Sequence, residues 1–252
     1  MNLLYGLIGY PLSHSWSAGY FAEKFKTESI DNTKYQSFPI KDISELNDLI
    51  ETHENIRGLN VTIPYKEKVI PLLDSISTSA QEIGAVNTIK IIRTNSGIIK
   101  KGFNTDVNGI MKSLEYYQVQ VPDKVLILGT GGAAKAVAWV LQHHSCSLFF
   151  ATRTPRSANH ISYTELKNQG LYSYKLIINT TPLGMHPDVS ALPEIPYDTL
   201  NSKHILFDLI YNPEKTAFLK RGETAGCKII NGLYMLQQQA EKSWEIWNNE
   251  LL

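Results

Sequence analysis

The sequence predicts an α/β protein of two domains, the second of them a doubly wound parallel sheet. Three observations carry that expectation. The chain has 252 residues, more than one compact domain usually holds. Short apolar segments alternate with stretches of helical periodicity along most of its length. A glycine-rich turn, Gly129-Thr130-Gly131-Gly132-Ala133, stands directly between an apolar run and a helical segment.

The first half reads as repeated strand and helix. Leu3–Ile8 is an apolar strand that turns at Gly9-Tyr10-Pro11, and residues 13–25 run from a loop into a helix. Residues 35–40 form a second strand, followed by Leu46, Leu49 and Ile50 at helical spacing. Residues 58–63 form a third, stopped by Pro64, after which 66–73 start a helix. Residues 84–92 and 97–103 pair through a turn at Asn95-Ser96-Gly97.

Between the halves, Val107, Ile110, Met111 and Leu114 mark one face of a helix that Pro122 ends. The strands 124–128, 147–151, 176–179 and 204–209 then alternate with helical segments, as a parallel sheet requires. Residues 233–252 contain neither Gly nor Pro and make a final helix that packs back on the first domain. The expected division is therefore 1–106 completed by 233–252, and 107–232.

Composition narrows the partners. Apolar residues make up 43% and charged residues 19%, which excludes a disordered or fibrous chain. Lys plus Arg (24) equals Asp plus Glu (24), so no global field draws the chain to nucleic acid or an anionic membrane, and a small-molecule ligand is expected. Cys146 and Cys227 form no CxxC pair and fit a reducing compartment. The apolar start lacks a basic leader and no apolar run reaches ~18 residues, so a cytoplasmic location is expected. The seven histidines show no metal-ligand spacing, and no metal is expected.

The glycine turn is chemically informative. Glycines let the backbone approach a pyrophosphate, and the N–H groups opening the next helix stabilise its charge. An NAD-binding fold places an acid at the end of its second strand to hold the ribose 2′-hydroxyl. Here that strand runs into Thr152-Arg153-Thr154-Pro155-Arg156 instead. Guanidinium groups suit a 2′-phosphate, so the expected cofactor is NADP, with solvated loop charges as the alternative for Arg153 and Arg156. Asn179-Thr180-Thr181-Pro182-Leu183-Gly184-Met185 ends another strand, either bordering the cofactor or forming a structural turn.

Polar clusters follow the first-half strands: Ser13-His14-Ser15-Trp16-Ser17, Asn60-Val61-Thr62-Ile63-Pro64-Tyr65-Lys66, Gly84-Ala85-Val86-Asn87-Thr88 and Gly102-Phe103-Asn104-Thr105-Asp106. Their hydroxyls and amides can bind a polyhydroxylated carboxylate, while Lys66 and Asp106 can manage a proton. Spacing alone leaves Lys66 a solvated side chain or a proton donor, and Asp106 a helix cap or its partner.

Together these motifs, with Asp208-Leu209-Ile210-Tyr211-Asn212-Pro213, Thr216, Gly232, Met235-Leu236 and Gln239-Ala240, resemble the shikimate dehydrogenase family over nearly the whole chain. The resemblance implies a substrate domain joined to a Rossmann-like domain, and reversible NADPH-dependent reduction of 3-dehydroshikimate to shikimate on the route to aromatic amino acids. It implies that Lys66 and Asp106 are catalytic. Ser15, Ser17, Thr62, Asn87, Asp106, Tyr211 and Gln239 would contact substrate. Gly129, Thr130, Gly131, Gly132, Ala133, Thr152, Arg153, Thr154, Arg156, Leu209 and Gly232 would hold NADP. The chain departs from the family pattern at Trp16, Val107 and Thr152. Two alternatives stand beside this reading: a quinate/shikimate dehydrogenase relative using NAD, and a non-catalytic NADPH-binding regulator. The absent acid after Ala151 disfavours the first, and the retained Lys66 and Asp106 disfavour the second. A monomer or homodimer is expected.

Overall fold

The structure, a computed structural model, describes residues 2–12 and 16–249. It divides into two compact units, Met1–Thr105 with Ala240–Leu252, and Asp106–Gln239. The fold is α/β, with one sheet in each unit.

The first unit carries β1 (Leu3–Ile8), α1 (Trp16–Thr27), β2 (Thr33–Phe38), α2 (Glu45–Thr52), β3 (Ile56–Val61), β4 (Ser75–Ile76), α3 (Thr78–Ile83), β5 (Thr88–Thr94) and β6 (Gly97–Phe103). Its sheet runs β2-β1-β3-β5-β6-β4. β1 lies parallel to β2 and β3, whereas β5 pairs antiparallel with β3 and β6. Alternation along β1 sends Leu4 and Ile8 into a core with Leu59, Val61, Ile89 and Ile91, while Tyr5 faces an aromatic cluster with Phe21, Phe25 and Trp247. Both faces are therefore covered.

The second unit carries α4 (Asp106–Tyr116), β7 (Lys124–Leu128), α5 (Gly132–Leu141), β8 (Ser147–Thr152), β9 (His160–Ser162), α6 (Tyr163–Gln169), β10 (Leu176–Asn179), β11 (Ile205–Asp208), α7 (Ala217–Thr224), β12 (Lys228–Ile230) and the start of α8 (Leu233–Asn248). Its sheet runs β12-β11-β10-β7-β8-β9, with every pair parallel. That is the doubly wound order, whose switch point lies between β7 and β10. Leu126, Leu128, Ile177 and Leu206, fully buried, form its core with Leu166 and Phe218.

Several elements differ from the sequence expectation for identifiable reasons. Residues 66–73 form only a short 3₁₀ turn at Ile70–Leu72, because Pro71 cannot donate into a continuing helix. Residues 84–87 are not strand: α3 ends at Gly84, whose φ of 70° is left-handed, and β5 starts at Thr88. Asp106 and residues 233–239 group with the second unit, since Gly109 of α4 meets Met235 and Tyr116 stacks on Tyr234 at 4.2 Å. Residues 240–248 stay with the first unit. There the Trp247 indole donates to the Ile89 carbonyl at 3.0 Å, and Glu241 pairs with Lys24 at 2.8 Å and accepts from Tyr20.

Candidate active site

In the first unit, the carboxyl ends of β1 and β3 and the start of β5 meet. Thr62 N–H donates to the Ile8 carbonyl at 3.0 Å, and Val61 N–H to the Asn87 carbonyl at 2.8 Å. Val86 N–H donates to the Lys66 carbonyl at 2.7 Å, which fixes the lysine's backbone next to Asn87. Between Thr62 and Lys66, Tyr65 is the anchor: its buried ring lies in the core and its hydroxyl donates to the Ile40 carbonyl at 2.9 Å. Thr62 and Lys66 stay half-exposed while Asn87 is buried. Main-chain hydrogen bonds thus bring together Thr62, Lys66 and Asn87, three residues from two motifs.

A hydrogen-bonded cluster lies beneath them. The Asn87 carboxamide oxygen accepts from Thr105 N–H at 2.7 Å, from the Thr105 hydroxyl at 3.1 Å and from the Thr88 hydroxyl at 3.1 Å. With its oxygen turned inward, the carboxamide presents its NH₂ on the opposite side. Asn60 donates to the Ser243 hydroxyl at 3.0 Å and accepts from Tyr35 at 2.8 Å. Ser17 hydrogen-bonds the Tyr35 hydroxyl, which burial holds above the usual tyrosine range and so keeps a neutral donor. Ser15 lies outside the described residues.

In the second unit, Asp106 opens α4, buried, with its carboxylate in the first turn where the helix dipole favours negative charge. Gly129 has φ of 105°, a conformation glycine adopts without strain, and its N–H donates to the Ala151 carbonyl at 2.9 Å. A Cβ here would lie 3.0 Å from the Thr180 hydroxyl, which itself donates to the Leu128 carbonyl at 2.6 Å. The loop after β7 is thereby folded against the loop after β10 at the switch point. Gly131 caps α5 with extended backbone and no side-chain cap bond, the kind of helix start whose first-turn N–H groups suit an anion. Thr130 and Gly131 are exposed. Thr152 ends β8, and Arg153, Thr154 and Arg156 follow on an exposed turn braced by Arg156 N–H donating to His160 Nδ1 at 3.2 Å. An open helix terminus beside two exposed guanidinium groups fits a dinucleotide bearing a 2′-phosphate.

Beyond that loop, the ends of β10 and β11 are clasped. Asp208 is fully buried; it accepts from Asn179 at 3.1 Å, Ile210 N–H at 3.0 Å and the Thr216 hydroxyl at 2.6 Å. Burial pushes its carboxyl up to about 6 despite those bonds, so it is ionised at neutral pH. Asn179 in turn accepts from Thr181 N–H and hydroxyl at 3.1 and 2.7 Å. Leu209 and Gly232 lie beside this clasp. A Cβ on Gly232 would overlap the Leu209 carbonyl, and Gly232 N–H donates to the Ile210 carbonyl at 3.0 Å. Tyr211 is half-buried, with its hydroxyl held above the ordinary value by burial. Gln239 is buried on α8, donating to the Leu236 carbonyl at 3.0 Å.

Tyr35 and Ser243 did not stand out in the sequence. A signal for Ser243 was present: it sits four residues after Gln239, on the same helix face, as a serine within the stripe of Leu236, Ala240, Trp244 and Trp247.

Comparison with known proteins adds to this geometry. Residues 7–89 match the family model described as the shikimate dehydrogenase substrate binding domain. A shikimate dehydrogenase (NADP(+)) of Carboxydothermus hydrogenoformans is 39% identical over 97% of this chain and 91% of its own. The crystal structure of shikimate dehydrogenase 1 from Peptoclostridium difficile superposes with a TM-score of 0.85, at 40% identity over 98% of this chain and 91% of that one. The Thermus thermophilus shikimate 5-dehydrogenase, in complex with NADP(H) and shikimate, is 29% identical with a TM-score of 0.84, over 98% of this chain and 93% of that one.

Proposed function

The chain belongs to the shikimate dehydrogenase family, and from that premise we propose that it interconverts 3-dehydroshikimate and shikimate with NADP(H), Lys66 and Asp106 handling the proton. The observation that carries the reaction is likeness at 39% identity over 97% of the chain to an NADP-dependent relative. Cofactor binding belongs to the second unit. Ser15, Ser17, Thr62, Asn87, Tyr211 and Gln239 hold the carboxylate and ring hydroxyls. Gly129, Thr130, Gly131, Gly132 and Ala133 hold the pyrophosphate; Thr152, Arg153, Thr154 and Arg156 hold the 2′-phosphate; Leu209 and Gly232 border the nicotinamide.

When bound, the dinucleotide supplies the hydride for the ketone carbon. Lys66, as an ammonium, hydrogen-bonds the ketone oxygen, stabilises the negative charge developing there and gives it a proton. In the reverse direction neutral Lys66 removes that proton from the hydroxyl. Asp106 orients the lysine and accepts a hydrogen bond from a neighbouring substrate hydroxyl. The Asn87 NH₂ donates to a further ring oxygen, its aim set by the three donors on its carboxamide oxygen.

A cytoplasmic location is proposed on sequence chemistry. Cys146 and Cys227 are both free thiols, and among the described residues no helix is long and apolar enough to cross a membrane. The free thiols and the balanced charge support a cytoplasmic enzyme.

Purified protein offered shikimate with NADP should generate NADPH, seen by absorbance, with NAD or quinate much poorer substitutes. Absence of turnover with shikimate and NADP, or faster turnover of quinate with NAD, overturns the proposal.

A further inference from the structure

We infer that Ser243 is a positioning residue for substrate binding, its buried hydroxyl passing a one-way hydrogen-bond chain from Asn60 to Thr88 that fixes the carboxamide of Asn87. The inference rests on the reading above that Asn87 touches substrate.

Donor chemistry sets the direction of each link. Tyr35 donates to the Asn60 carboxamide oxygen at 2.8 Å, which orients that amide with its NH₂ toward α8. An amide NH₂ can only donate, so Ser243 Oγ, 3.0 Å away, must accept. The same NH₂ also approaches Thr88 Oγ1 at 3.2 Å and the Asn87 carbonyl at 3.3 Å. At the other end, the Asn87 carboxamide oxygen can only accept, so Thr88 and Thr105 both direct their hydroxyl protons to it at 3.1 Å. Thr88 has then spent its proton, and its 2.8 Å contact with Ser243 is made by the Ser243 proton. Thr105 lies 3.2 Å from each of the other two hydroxyls. The order is thus Tyr35 to Asn60 to Ser243 to Thr88 to Asn87, each bond polarising the next.

Docking α8 does not explain this serine. Trp247 already binds the Ile89 carbonyl, and Glu241 already holds Lys24 and Tyr20. Thr88 and Ser243 are both fully buried, so an unmade bond there is costly and bulk water does not replace it. Without the serine proton, Thr88 can turn its own proton elsewhere, and the Asn87 carboxamide loses one of the donors that hold it. Gln239, one turn earlier on α8, is assigned to substrate directly; Ser243 acts through Asn87.

Steady-state kinetics on the full chain test this, with KM for shikimate and for NADP read separately. Ser243→Ala should raise the shikimate KM by about tenfold, the size of one net hydrogen bond, while leaving the NADP KM unchanged. Thr88→Val, which keeps the side-chain shape and removes the hydroxyl, should reproduce that split and serves if Ser243→Ala does not fold. In an Asn87→Ala background, adding Ser243→Ala should shift the shikimate KM by less than about twofold, because the two act through one group. A shikimate KM unchanged in Ser243→Ala, or raised equally with and without Asn87, overturns the inference. Failure of the reaction assignment looks different: the unmodified protein itself would not turn over shikimate.

Discussion

Thr216 donates its hydroxyl proton to Asp208 at 2.6 Å, and the same threonine oxygen accepts from Leu219 N–H at 3.3 Å to cap α7. One hydroxyl therefore joins the end of β11 to the start of the next helix, and a buried negative charge is its acceptor. That charge makes the second unit sensitive to pH. The native carboxyl titrates at about 6, above the unfolded value of 3.8. A raised native pKa means that the contribution is fully present below 3.8 and is lost as pH rises through 6. The loss is of order 3 kcal/mol, since each tenfold change in proton affinity is worth about 1.4 kcal/mol. Asp208→Asn cannot titrate, so the wild-type stability advantage over it should shrink as pH climbs between those limits. Unfolding midpoints of both proteins across that range check this, and a pH-independent difference refutes it.

Lys66→Ala should lower kcat by ~10²–10⁴-fold, the usual contribution of a positioned proton donor, with a smaller change in shikimate affinity. Asp106→Ala should behave similarly. Groups acting as a unit are not additive, so the double variant should be little worse than the poorer single one. Near-normal kcat with a raised KM in Lys66→Ala would make the lysine a binding residue only.

Arg153→Ala should weaken NADP binding by about 1.5–3 kcal/mol, the range for a hydrogen bond to a charged group, and leave NAD binding almost unchanged. Titration of both cofactors onto wild type and variant decides it. Equal losses would show that Arg153 does not read the 2′-phosphate.

Gly232→Ala places a methyl group against the Leu209 carbonyl, which is main chain and cannot rotate aside. Stability should fall by about 1–3 kcal/mol, as for other overpacked sites, and NADP affinity should fall with it. Calorimetry and cofactor titration test the two effects, and an alanine variant matching wild type in both would sink the argument.

Strands such as β7 and β10 were legible because a fully buried parallel strand is an uninterrupted apolar run, as in Leu176-Ile177-Ile178. The three-residue strands β9 and β12 were not, since three residues carry no periodicity. The glycine turn and the four polar clusters pointed to chemistry because each holds its functional groups within a few consecutive residues. Tyr35 and Ser243 work differently. Their meaning lies in partners up to 183 positions away, such as Asn60 with Ser243, and no local pattern announces such a bond. Asp208 was visible only as part of a motif, because burial that raises a carboxyl's pKa is a property of the packed sheet.

The first unit is assembled from Met1–Thr105 and Ala240–Leu252, with the whole of Asp106–Gln239 between them. During synthesis the ribosome therefore releases β1 to β6 long before Ser243 and Trp247 exist to cover them. Until then the aromatic face of Tyr5 and Phe21 lacks Trp247, and the Asn60 amide lacks its serine acceptor. The second unit is one continuous stretch and can collapse on its own contacts as it emerges. A nascent chain should therefore acquire protease resistance in Asp106–Gln239 first, and the amino-terminal sheet, although made earlier, should become resistant only after residue 247 clears the exit tunnel.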